Sequence, residues 1–91
     1  MGNNLFVSYD LDAPGKNYPK IKKAIESLGQ AVKVHKSLYY VKSNYRAKDA
    51  EEIVWAAADG NDRVLVIDAK HAFWHQAMEP ASEFIPSHWP A

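Results

Sequence analysis

The chain has 91 residues, 47% of them hydrophobic and 24% charged, a length and balance that fit one globular core and exclude a disordered polypeptide. There is no cysteine, which excludes disulfides and thiolate metal sites, and the formal net charge is zero. No apolar stretch approaches the ~20 residues of a membrane helix. Met1-Gly2-Asn3-Asn4 enters an apolar run without a basic region or cleavage site, so a cytoplasmic protein that makes no membrane contact is expected.

Leu5-Phe6-Val7-Ser8-Tyr9 is rich in β-formers and reads as a first strand, stopped by the turn-forming run Asp10-Leu11-Asp12-Ala13-Pro14-Gly15. Tyr18, Ile21, Ile25 and Leu28 recur at helical spacing, with Pro19 in the first turn and Gly29 at the end, which predicts a helix over 18–28. Ala31 to His35 alternates as a half-buried strand does. Leu38 to Lys42 follows after only Lys36-Ser37, so the two form a hairpin. Ala50, Ile53, Val54 and Ala57 share one face of a second helix within 46–58, expected to be capped by Ser43 or Asn44 and carrying Asp49, Glu51 and Glu52 near its start. Gly60-Asn61 ends it, and Arg63 to Asp68 is a last strand.

Strand, helix, hairpin, helix, strand is the split β-α-β pattern of an α+β, ferredoxin-like two-layer sandwich, expected over residues 1–68 with β1 and β4 at or near the centre and both helices on one face. Both alternating sets of the last strand, Val64 and Val66 against Leu65 and Ile67, are apolar, so the second face also requires a cover. Two covers are available: a second copy of the chain, or the aromatic tail of residues 69–91, in which His71 to Met78 is expected to form a short helix. Phe6 and Tyr40 on the sheet, with Phe73, Trp74 and Trp89 in the tail, are the residues expected at that contact.

Charge is segregated. Residues 16–48 hold nine Lys or Arg against the single acid Glu26, whereas from Asp49 onward eight acids face Arg63 and Lys70. Lys16, Lys20, Lys23, Lys33 and Lys36, with His35, Ser37 and Tyr39, are candidates for a surface that takes phosphates and stacks bases; the alternative is a solvated helix face over core tyrosines. Asp10 and Asp12 stand two apart at the end of the first strand, where paired carboxylates suit a magnesium ion, Asp10 as ligand and Asp12 assisting. Turn chemistry explains the same residues without a metal. His71 and His75 have the i, i+4 spacing of a helical zinc pair but no third ligand.

Tyr9-Asp10-Leu11 ending a strand, a lysine-rich helix closing at Leu28-Gly29, and Val34-His35-Lys36-Ser37-Leu38-Tyr39 resemble the CRISPR-associated protein 2 family and its relative, virulence-associated protein D, across residues 4–68. Pro14-Gly15-Lys16-Asn17-Tyr18 and Asn61-Asp62 are similar to a SinR-like branch of that superfamily. The resemblance implies a ferredoxin-like homodimer that associates with RNA or DNA, and for some members metal-dependent nuclease activity. It places Asp10 at the strand-end aspartate, where two copies share a metal-bound water, and Ser37 at the hairpin serine. Ala13-Pro14-Gly15 departs from the pattern, which has basic residues there. The rival expectation is a non-catalytic module that binds another protein through its dimer surface or its tail.

Overall fold

A computed structural model describes residues 2–12 and 18–89. Its elements run β1 (Asn3–Asp10), α1 (Tyr18–Glu26), β2 (Gly29–His35), β3 (Leu38–Ser43), α2 (Ala47–Trp55), β4 (Arg63–Asp68) and α3 (Ala81–His88). The strands form one sheet in the order β2-β3-β1-β4, and every neighbouring pair is antiparallel. The hairpin makes β3 a neighbour of β2, β1 pairs with the other side of β3 through Leu5↔Val41 and Val7↔Tyr39, and β4 is left with the outer side of β1. The interior strands are therefore β1 and β3, not β1 and β4 as the sequence suggested.

Alternation along the strands divides the sheet into two apolar faces. On one, Leu5, Val7 and Tyr9 of β1 and Tyr39 and Val41 of β3 meet Ile21 and Ile25 of α1, Leu28, and Ala50 and Val54 of α2, all buried. Ile21 and Ile25 lie one turn apart, as do Ala50 and Val54, so each helix presents one stripe to the sheet and keeps its charges in water. α2 is shorter than expected, and neither Ser43 nor Asn44 caps it: Arg46 takes that place with no side-chain cap bond. Ser43 is buried instead, donating to the Leu28 carbonyl (2.7 Å) and accepting from the Tyr45 N–H (3.0 Å), which ties the end of β3 to the end of α1. Gly29 lets the chain turn between them, because a Cβ there would run into the Lys42 carbonyl.

The second face is closed by the tail. Val32, Val34 and Tyr40 pack with Ala81 and Ile85 of α3, and Phe6, Leu38, Trp74, Phe84 and Trp89 surround them. The tail thus forms a third layer, and its helix lies at 81–88 rather than at 71–78. Ala81 and Ile85 fall one turn apart on the buried stripe, with Pro80 as N-cap. Pro86, inside the helix, removes an i→i−4 donor but faces water, so burial of the stripe outweighs the missing bond. Tyr40 is fully buried, stacks on Trp89 (5.8 Å between centroids) and donates to the Asn4 side-chain oxygen (2.7 Å). Phe73 is not part of this cover; it is 95% exposed.

Three substitutions separate these contributions. Ile85→Ala is expected to cost about 2–4 kcal/mol by leaving a cavity between tail and sheet. Tyr40→Phe is expected to cost about 1–3 kcal/mol by leaving the buried Asn4 oxygen without its donor, whereas Phe73→Ala should stay within about 0.5 kcal/mol. Urea unfolding of the full chain measures all three; a near-zero Ile85→Ala effect would show that the tail is not part of the cooperative unit.

Candidate nucleic-acid interface

The carboxyl end of β1, the first residue of α1 and the β2–β3 turn meet around an open cleft of about 400 Å³, lined by Tyr9, Asp10, Leu11, Tyr18, Lys33, Lys36 and Ser37. The hairpin places Lys36 and Ser37 here because its two-residue turn lies against the end of β1, where the Tyr9 N–H donates to the Ser37 carbonyl (3.1 Å). A bulge between Lys33 and His35 breaks the β2–β3 register just before that turn. The Lys33 ammonium lies 4.9 Å from the Tyr18 ring centroid and 3.4 Å from its hydroxyl, a cation held over an aromatic face.

Tyr9 and Tyr18 line the cleft and pack with Tyr39 of the core. The Tyr18 and Tyr39 hydroxyls are 2.6 Å apart, and the Tyr9 ring packs against both (5.9 and 6.2 Å between centroids). Burial pushes the Tyr9 and Tyr39 hydroxyls well above the ordinary tyrosine range, and proximity to Tyr18 adds to it. At Tyr18 burial acts in the same direction, but the hydrogen bonds from Tyr39 and Lys33 and the Lys33 charge outweigh it and hold the hydroxyl below its usual value. Tyr39 donating to the Tyr18 oxygen accounts for both directions. Tyr18, not Tyr39, is the ring that borders the cleft; Tyr39 is 4% exposed and belongs to the core.

The sequence candidates are therefore partly brought together. Asp10, Lys33, Lys36 and Ser37 share the cleft, while Lys20, Lys23 and His35 are exposed outside its lining. Lys16 lies outside the described residues. Asp10 is paired with Arg63 (3.2 Å), which stands directly opposite it on β4. Asp12 is exposed, and its backbone N–H donates to the buried Asp62, whose other carboxylate oxygen accepts from the Asp59 N–H (both 2.8 Å). The Asn61-Asp62 element thus fastens the end of β1 to the turn before β4. Among the described residues no three His, Asp or Glu side chains are grouped as a metal would need, and His71 and His75 do not lie on a helix. Among the described residues Asp10 is the one carboxylate that lines the cleft.

Sequence reasoning missed Tyr18 and Arg63. The signal for Tyr18 was its place at the start of the first helix, where the apolar stripe makes any aromatic read as core; for Arg63 it was the strand pairing, which residue types do not reveal.

Stability is expected to fall at alkaline pH, because burial holds the Tyr9 and Tyr39 hydroxyls in their protonated form. Burial also raises Tyr40, to about 12. Between pH of about 10, where an unfolded tyrosine titrates, and about 12, the unfolded chain releases protons that folded Tyr9, Tyr39 and Tyr40 keep, so unfolding becomes easier as pH rises. Tyr18 has the opposite sign: its stabilisation is present above about pH 10 and is lost as pH falls through its folded value. Three groups outweigh one, and urea midpoints should drop from about pH 9 to about pH 11. Lys33→Met should shift the Tyr18 phenolate absorbance to higher pH; an unchanged titration would show that Lys33 does not act on it.

In comparisons with protein-family models, curated proteins and solved structures, the chain matches none.

Proposed function

We propose that the chain is a small nucleic-acid-associated protein, acting as a homodimer, that seats a phosphodiester backbone in the cleft between β1, α1 and the β2–β3 turn. The observation that carries this reading is the convergence of Lys33, Lys36 and Ser37 beside the Tyr18 ring in one open cleft. Two ammonium groups supply sequence-independent attraction for phosphate, the serine hydroxyl can donate to a phosphate oxygen, and an aromatic face at the rim suits a base. The strand order β2-β3-β1-β4, with α1 and α2 on one face, supports the ferredoxin-like reading of the core, and with it the resemblance to the CRISPR-associated protein 2 family.

Magnesium-dependent cleavage through Asp10, with Asp12 assisting, is the catalytic form of this reading and the less supported one. Asp10 borders the cleft, but its carboxylate is turned to Arg63 in an exposed pair, of a kind that holds only weakly. A binding role needs no such rearrangement. The rival reading, a protein-binding module, draws on Phe73 and the aromatic groove it lines with Trp74, Pro86 and Trp89.

Binding of labelled single-stranded RNA and DNA across a salt series tests these readings. The native chain should bind more weakly as salt rises, and Lys33→Ala with Lys36→Ala should reduce the slope of log affinity against log salt by roughly two. Salt-insensitive binding, or no change in the double variant, would refute the cleft. Cleavage assays with magnesium decide the catalytic form: equal turnover by the native chain and Asp10→Ala would end it.

A further inference from the structure

β4 is an edge strand whose free side matches itself. The Ala69 N–H donates to the Asn4 carbonyl (2.8 Å), in register with Leu5↔Asp68. Residues of an antiparallel ladder alternate between bonding to one neighbour and to the other, so Arg63, Leu65 and Ile67 bond to β1. Val64, Val66 and Asp68 then direct their N–H and C=O groups outward, where no described strand pairs with them. On the tail-side face Leu65 is 57% and Ile67 47% exposed, beyond the reach of the cover that closes over Phe6 and Tyr40.

The two edges of the sheet differ. At β2 a bulge breaks the register, and Met78 of the tail donates its N–H to the Val34 carbonyl (2.7 Å), devices that prevent a further strand from adding. β4 has regular pairing through all six residues, no proline and no bulge.

We propose that β4 pairs with β4 of a second copy, antiparallel about a two-fold axis through Val66, so that one continuous sheet spans both subunits. For the identity of the partner this rests on the homodimer reading above. Antiparallel pairing keeps the two Arg63 residues apart and the two Asp68 residues apart, whereas parallel in-register pairing would set like charges side by side. A perpendicular axis keeps both helix layers on one side and both tails on the other, which requires residues of the same face to stand opposite each other. Centred on Val66, the register joins every outward-facing residue of β4 and lays Leu65 against the partner subunit's Ile67, twice over. Centred on Leu65, it would leave Asp68 without a strand partner.

This dimer has a consequence for chemistry. Asp10 is level with Arg63, at opposite ends of the combined sheet in the two subunits. From strand rise and spacing, the two Asp10 residues stand roughly 25 Å apart, too far to share a metal-bound water. Dimerisation through β4 and a paired-aspartate centre therefore exclude each other.

Sedimentation of the native full chain should give a dimer, and Ile67→Lys a monomer that keeps the native circular-dichroism spectrum, since the replaced side chain is half exposed. Val66→Cys introduces the sole thiol of the chain directly on the axis, and mild oxidation should join two subunits covalently. A native monomer would overturn both the homodimer reading and this one. A dimer that persists in Ile67→Lys, or that fails to cross-link through Val66→Cys, would leave the homodimer standing and overturn the β4 edge as its interface.

Discussion

Tyr39 and Tyr40 are consecutive on β3, so their rings leave the sheet on opposite faces, and each face of the molecule closes on one of them. Tyr40 is fully buried under the tail and is satisfied by Asn4; Tyr39 is buried under the helices and is satisfied by Tyr18. A two-sided apolar strand at the centre of a four-stranded sheet cannot be left half open in water. This obliges residues 69–89 to fold back as a third layer, with Ala81 and Ile85 filling the space over Val32 and Val34.

The same constraint shapes the cleft. Because Tyr39 must find a hydroxyl partner beneath α1, Tyr18 is drawn to the end of the sheet, and Lys33 lies over its ring. The short hairpin turn then brings Lys36 and Ser37 to the same place. A group of polar side chains whose first task is to satisfy buried hydroxyls is also a cationic, aromatic-walled opening, which is the chemistry a nucleic-acid backbone requires. Asp10 takes part through Arg63, closing the β1–β4 end of the sheet by charge pairing.

Coverage of the second face is unequal, and the inequality is informative. The tail reaches β2 and β3, where α3 makes its sheet contacts, and leaves Leu65 and Ile67 of β4 open. Apolar exposure and free backbone groups therefore coincide on one edge, while the other is bulged and capped.

Period-two and helical spacing in the sequence determined the six core elements, since Leu5, Val7 and Tyr9, or Ile21 and Ile25, can share a face in only one kind of backbone. Composition likewise located the basic half and the need for a second cover. Which strands lie inside, and so the exposure of Leu65 and Ile67, followed from pairings between residues some 30 or more apart, which no local pattern encodes. The tail shows the same limit: Pro86 argues locally against a helix, and only the fit of Ala81 and Ile85 onto β2 and β3 makes that helix favourable. Asp10 was legible as a strand-end carboxylate, but its bond to Arg63 was not, because strand register, a property of the assembled sheet, set the two opposite each other.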